Sequence, residues 1–327
     1  MKYVTLVVPE CEVNLNSLGG AYEILSGANN YWQKLGNNSK LEIQVAGFVS
    51  DLKSQDTYFS AHPTDIKLIK KTDLLIIPSI KEDYENAVRN NKALIDWIKQ
   101  QYKGGAEVAS ICSGAFLLAA TELLDGRTCS THWDAVEEFR RMFPKVKIAE
   151  GKLITDERGI YTNGGGYSFL NLMIYLVEKL FDRTTAIFCS KIFQIDMERT
   201  TQSPFTIFHA QKTHGDEVIG KAQTYIEENI DAKISFEKLA SHLAISRRNF
   251  DRRFIKATGN TPVEYLQRVK VEAAKKELEK GRKTISEIMD DVGYTDDKAF
   301  REVFKKVTGL SPLDYKIKYN KESAVAH

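Results

Sequence analysis

Five residues in the last third of this chain recur at a single interval. Phe250, Phe254, Gly259, Pro262 and Tyr265 return as Phe300, Phe304, Gly309, Pro312 and Tyr315, each 50 residues on (300−250, and likewise for the others). Upstream of them, Ile234-Ser235 is echoed by Ile285-Ser286 at an offset of 51, so the copies differ by one residue in a turn. A stacked array needs at least three copies to bury its faces, so a unit stated twice is a pair and not a solenoid.

In the first copy, Phe236–Leu243 reads as a short helix and Ala244-Ile245 as a turn. Ser246 then caps a helix running to about Ala257, since a serine hydroxyl can accept from the orphan N–H groups of a first turn. With residues spaced about 100° around that helix, Phe250 and Phe254 share one side, while Arg248 and Arg252 lie opposite at about 160° and 200°. Arg247 and Asp251 flank them. Two arginines one turn apart, on the outer face of the second helix of such a unit, suit bidentate bonds to guanine in a major groove. In the second copy Lys298 and Glu302 hold those bearings, an i,i+4 pair able to satisfy itself. Asp296 and Asp297 at that helix start repel phosphates, leaving Arg301 and Lys305 as donors. The first unit (about 234–257) is therefore expected to read bases, and the second (about 285–308) mainly to grip the backbone of double-stranded DNA.

A long helix over 262–280 should join the units. Thr261-Pro262 opens it, Gly281 stops it, and Ser311-Pro312 opens another helix after it. Val263, Leu266, Val269, Ala273 and Leu278 are expected in its core face. Its fixed length should set the two recognition helices in successive major grooves, about one turn of DNA apart.

The preceding two thirds follow a different rhythm. Residues 2–8, 41–49, 73–77, 108–111 and 160–162 read as strands, the third (Asp-Leu-Leu-Ile-Ile) apolar enough to be buried on both faces. Helical patterns alternate with them at 17–35, 87–102, 113–124, 134–142, 167–181 and 182–197. Such alternation implies a parallel sheet covered by helices on both faces. Periodicity fails over 198–215, which reads as a linker. At 327 residues the chain suits two or three domains: 1–197 α/β, and 216–320 all-α.

Composition excludes more than it assigns. Net charge is only +2, and from His214 onward there are 22 Lys/Arg against 19 Asp/Glu, so any DNA affinity must come from local placement of charge. Cys11, Cys112, Cys129 and Cys189 lie far apart, which suits a reducing compartment and argues against a disulfide framework or zinc ribbon. No stretch approaches a membrane span. His62, His209, His214 and His242 show no metal-ligand spacing. A cytoplasmic protein without metal or cofactor is expected.

The sharpest chemical feature of the first part is Ala-Ser-Ile-Cys-Ser-Gly-Ala-Phe at 109–116. A strand running into a Cys, then small residues and a helix, is the pattern of a nucleophile elbow. Twenty residues later (132−112) comes His132, within Thr-His-Trp, and Asn163-Gly164-Gly165-Gly166 precedes a further helix, where backbone N–H groups can face a ligand.

Cys-Ser-Gly-Ala-Phe-Leu-Leu-Ala-Ala, followed by Leu-Leu-Asp-Gly-Arg and Thr-His-Trp, resembles the PfpI-type domain of the class I glutamine amidotransferase-like superfamily, in the version fused to DNA-binding domains in GlxA-like regulators. The repeat, with Gly259-Asn-Thr-Pro-Val-Glu-Tyr and Phe304-Lys-Lys-Val-Thr-Gly-Leu-Ser-Pro-Leu-Asp-Tyr315, resembles the AraC/XylS-family DNA-binding domain. The resemblance implies an amidotransferase-like (flavodoxin-like) sensor, a double helix-turn-helix, and a small-molecule effector, amino-acid-like or an amine. It also implies contact with the transcription machinery and a possible homodimer. The departures weigh against catalysis. Enzymes of the superfamily carry an acid near the first strand–helix turn, where this chain has Asn16, and a His after the nucleophile, where it has Ser113. A Cys–His pair lacking an orienting acid is a weak nucleophilic site. Cys112, Ser113, His132, Asn16 and Gly165 are therefore expected to line a ligand pocket. The alternative is a Cys-dependent hydrolase or amidase using Cys112 and His132.

Overall fold

The computed structural model describes residues 1–48, 63–81, 83–212 and 214–320. His62 and the Val49 end of the second expected strand lie outside them. The chain divides into two units between Gln202 and Ser203.

In the first unit, β1 (Lys2–Val8), β2 (Leu41–Gly47), β3 (Thr64–Asp65), β4 (Leu74–Ile77) and β5 (Glu107–Ser110) run parallel, with two further strands of the same sheet coming later in the chain. β6 (Thr128–Cys129) and β7 (Lys147–Ile148) form a separate parallel pair, while β8 (Ile154–Glu157) and β9 (Ile160–Asn163) rejoin the main sheet. The seven-stranded order is β3-β2-β1-β4-β5-β9-β8, parallel throughout except for the antiparallel β8 at the edge. Helices α1 (Leu15–Lys34), α2 (Tyr84–Asn90), α3 (Lys92–Lys103), α4 (Ala115–Ala120), α5 (Val136–Met142), α6 (Phe169–Leu180) and α7 (Arg183–Ile192) cover it. Every residue of β4 is buried, as its unbroken apolar run requires of a strand packed on both faces.

Three departures have identifiable causes. The expected helix 87–102 is broken at Asn91, whose buried side chain accepts from Glu10 N (2.7 Å) and donates to Ala87 O (2.8 Å). β8 carries Asp156 and Glu157 because an edge strand has one open side. The expected linker 198–215 is largely tied down: Thr201 bridges to Lys152, and Leu153 N and Gln202 N bond to Thr200 O and Gly151 O, all within the first unit. In the second unit Lys275 Nζ donates to Thr206 O (2.6 Å) and Phe208 N to Glu272 (3.1 Å).

That second unit is helical: α8 (Glu217–Glu228), α9 (Phe236–His242), α10 (Arg247–Thr258), α11 (Pro262–Lys280), α12 (Ile285–Asp291), α13 (Asp297–Thr308) and α14 (Pro312–Tyr319). The expected caps are present. Thr261 and Glu264 form a reciprocal capping box, Pro262 is the first residue of α11, and Gly281 ends it at φ +74°. Two separate cores result. Phe250, Phe254 and Tyr265 pack tilted and then edge to face in the first, with centroids 5.5 and 5.3 Å apart, and Phe300, Phe304 and Tyr315 do so in the second at 5.8 and 5.5 Å.

The repeat is longer than its motifs. Ile219, Ala222 and Ile226 of α8 recur as Val271, Ala274 and Leu278 of α11, 52 residues on (271−219), so each copy is a three-helix unit. The one-residue difference also changes sign. N-caps Ser235 and Thr284 correspond at 49, as do the turn bonds Ala244 N→Ser241 O and Gly293 N→Asp290 O. The second turn is therefore the longer by one residue. In α11 the core positions are Tyr265, Val271, Ala274 and Leu278, with Leu266, Val269 and Ala273 partly buried. Val263 is 47% exposed, because two residues before Tyr265 it points about 200° away from the core.

Candidate functional site

A cavity of about 240 Å³ opens at the carboxyl ends of the parallel strands, where open α/β sheets present their loops to ligands. Five connections contribute: Asn14 and Ser17 after β1, Ser79, Ile80 and Tyr84 after β4, Cys112 after β5, His132 and Asp134 after β6, and Gly166 and Phe169 after β9.

Cys112 sits at φ +55° in the tight turn between β5 and α4, a left-handed conformation a side chain adopts at a cost. Thr131 Oγ1 holds its carbonyl at 3.1 Å. The elbow expected from the sequence is present. His132 is brought to it around Gly165, whose missing Cβ would lie 2.5 Å from Cys112 Sγ and 2.9 Å from His132 Cδ2. Only glycine, here at φ +87°, fits between them.

The electronic arrangement is unlike that of a catalytic pair. His132 Nδ1 accepts from Asp134 N (3.3 Å), so a neutral ring carries its proton on Nε2. In a nucleophile–base pair a carboxylate holds Nδ1–H and frees Nε2 as the acceptor. Burial pushes the His132 pKa down, against the nearby Asp134 carboxylate. Burial thus favours the neutral ring, in which the second nitrogen is a donor.

The other expected pocket residues divide. Ser113 does line the cavity, but its buried hydroxyl is bonded to Ser79 Oγ (3.0 Å) and to the Ile80 backbone, so it stitches two loops together. Asn16 faces Tyr167 (3.4 Å); Asn14, two residues earlier, lines the cavity and caps α1. Gly164 N and Gly165 N are spent on Leu153 O (2.8 Å) and Asn163 Oδ1 (2.9 Å), so the glycine turn offers a ligand less than its sequence implied. Sequence reasoning missed Asp134, which makes no ion pair among the described residues and is the one carboxylate lining the cavity. Its signal was its position two residues after His132. Ser79 and Tyr84 carried none beyond Pro78 closing β4.

In the second unit α10 and α13 are the outer helices of their turns. Arg248 is exposed and forms no ion pair or hydrogen bond among the described residues; Arg252 is exposed and bonds only Asn249 Oδ1 (3.0 Å). Arg247, expected to contact DNA, is committed elsewhere. Its Nε donates to both Asp251 oxygens (2.9 Å), Nη1 to Glu237 (2.6 Å), and the guanidinium lies over Phe236 (5.6 Å). It locks α9 to α10. Arg253, not singled out from sequence, grips Asp216 through Nε (2.9 Å) and Nη2 (2.6 Å). On α13 the expected Lys298–Glu302 pair is absent among the described residues, since a base preceding an acid is the weaker i,i+4 order. The favourable order is used instead by Asp297 and Arg301 (2.6 Å). Lys298 and Lys305 remain exposed and unpaired among the described residues.

Comparison with known proteins matches residues 51–179 to the DJ-1/PfpI family and 239–317 to a helix-turn-helix domain family. The chain joins a DJ-1/PfpI domain to an AraC-type helix-turn-helix domain. It is similar to the HTH-type transcriptional regulator GbdR of Pseudomonas aeruginosa, 24% identical over 67% of this chain and 60% of that one. It is likewise similar to the HTH-type transcriptional regulator GlxA of Rhizobium meliloti, 26% identical over 64% of each. The chain thus spans about three-fifths of the length of these relatives. Among solved structures, a Vibrio parahaemolyticus protein superposes with a TM-score of 0.53 (23% identity, 58% of this chain, 98% of that one). Drosophila melanogaster DJ-1beta does so at 0.50 (16% identity, 60% and 98%). These two share the fold of the first unit.

Proposed function

We propose that this chain is a DNA-binding transcriptional regulator whose DJ-1/PfpI unit binds a small molecule without transforming it. One observation carries the reading: two helix-turn-helix units on matching cores, the first exposing Arg248, unpaired among the described residues, and Arg252, held only by Asn249 on its own helix. Arg248 and Arg252 read bases, while Lys298 and Lys305 grip the backbone; Arg301, held by Asp297, contributes less. Selection of duplexes from a random pool by the full chain tests this. A recovered consensus whose affinity falls steeply with salt supports it, and retention without sequence enrichment refutes it.

The effector reading rests on Asp134, the neutral His132 and the aromatic rings of Tyr84 and Phe169 around one cavity. A carboxylate beside aromatic faces suits an amine or amino-acid-like cation. Its binding would shift the DNA-competent state by its differential affinity for the two states. A thermal-shift screen of small amines tests it, because a ligand bound only by the folded chain raises the melting temperature. A homodimer, contact with the transcription machinery and a cytoplasmic location complete the proposal. The hydrolase alternative draws on Cys112 in its strained elbow beside His132. It would require turnover that Cys112→Ala abolishes.

A further inference from the structure

A recognition helix lying in the major groove reaches bases with side chains at i, i+3, i+4 and i+7. From Arg248 that series is Arg248, Asp251, Arg252 and Ile255. Three are polar. The fourth is an isoleucine, 46% exposed, on a helix whose other large apolar side chains, Phe250 and Phe254, are fully buried. Ile255 lies about 140° from Phe250 around the helix, within about 20° of Arg248, and belongs to neither core. The fold does not need it, since the equivalent residue of the second copy is Lys305 (255+50), on a helix with the same aromatic core.

Arg248, Arg252 and Lys256 set exposed positive charge around Ile255, and the one carboxylate on that face, Asp251, is neutralised by Arg247. The partner that covers it must therefore be anionic and must also present an apolar group. The DNA major groove offers one such group, the 5-methyl of thymine. Resting on the DNA-binding reading above, we infer that Ile255 selects a thymine by packing on its 5-methyl group in the half-site read by α10. Lys305 leaves the α13 half-site without that preference.

The test uses the full chain and its best selected duplex. Each thymine is replaced in turn by deoxyuridine, which removes the methyl and keeps every hydrogen-bonding group. Wild type should lose about fourfold in affinity at one or two positions, the worth of one buried methyl group. Ile255→Ala should bind the unmodified duplex that much more weakly and be indifferent to deoxyuridine at the same positions. Ile255→Lys, which copies the second unit, should be equally indifferent. Because the side chain is half exposed, both variants should keep wild-type circular dichroism. A selected duplex in which no deoxyuridine change distinguishes wild type from Ile255→Ala overturns this inference alone. Failure to select any duplex overturns the DNA-binding reading and the inference with it.

Discussion

Gly293 and Ala244 occupy the same place in the two turns, and substituting them in opposite senses separates two physical costs. Both have positive φ, +68° and +55°, and both donate N–H three residues back. Ala244 is therefore proof that the left-handed backbone tolerates a methyl here, at about 1–2 kcal/mol. Gly293 faces a further obstacle. A Cβ there would lie 2.7 Å from the carbonyl carbon of Asp231 and 2.9 Å from its Cα, and nearer still to its oxygen. Asp231 belongs to the loop between α8 and α9, and the Gly293 carbonyl accepts from the buried Lys270 (3.2 Å), so neither backbone can retreat cheaply. Adding about 1–3 kcal/mol of overpacking to the strain gives about 2–5 kcal/mol for Gly293→Ala. Ala244→Gly relieves about 1–2 kcal/mol of strain but frees the unfolded chain by about 0.4–1 kcal/mol, a net stabilisation of about 0–1.6 kcal/mol. A chain of two units need not unfold in one step, so the assay is hydrogen exchange of α11–α13 amides read by mass spectrometry. Gly293→Ala should lower protection there by the stated energy, and Ala244→Gly should leave it unchanged or raise it slightly. Effects equal in size and opposite in sign would refute the close-approach argument and leave backbone strain as the whole cost.

Arg252→Ala should weaken binding to a selected duplex by about 1–3 kcal/mol and relax one base preference, while Lys298→Ala changes little; equal losses in anisotropy titrations would contradict the division of labour. Arg247→Ala should lower the unfolding midpoint of the second unit with the salt slope of DNA binding unchanged, because its donors are already used within the fold. The Arg253 guanidinium gripping Asp216 holds that carboxyl below its ordinary pKa. The pair's stabilisation is therefore complete above the unfolded value of about 3.9 and is lost as pH falls through the lower folded value. The melting gap between wild type and Arg253→Gln should stay constant from pH 7 to about 5 and close below about 4; a gap independent of pH would show that the charge plays no part.

Legibility in the sequence followed the range of the force involved. Caps act within a turn of chain, so Thr261-Pro262, Ser246, Ser311-Pro312 and Gly281 could be read directly. Cys112 and the residues after it also lie on one short stretch, and the elbow was plain. What failed depended on contacts remote in sequence. Asn91 breaks a helical pattern because Glu10 claims its side chain from 81 residues away (91−10). Ser113 is satisfied by Ser79 and Ile80, whose arrival at the strand end no local pattern announces. The offset of 51 matched identical letters, Ile-Ser with Ile-Ser, whereas the structure matches roles, Ser235 with Thr284 as caps.

The same distinction explains how one repeat can serve unequal purposes. Packing constrains only the inward bearings, and there the copies agree: Phe250 with Phe300, Phe254 with Phe304, Tyr265 with Tyr315, even to the bonds Tyr265 Oη→Glu227 and Tyr315 Oη→Glu279, both 2.7 Å. The outward bearings are free to diverge. Arg248, Arg252, Ile255 and Lys256 carry three positive charges, whereas Lys298, Glu302, Lys305 and Lys306 carry three positive and one negative, a net of +2. The difference of one charge is smaller than the difference in kind. The first face sets two planar, bidentate donors beside an apolar side chain, groups that distinguish one base edge from another. The second sets flexible point charges around a carboxylate, which attracts a phosphate and distinguishes little. On the proposed reading, an internal duplication has kept its scaffold twice and its reading head once.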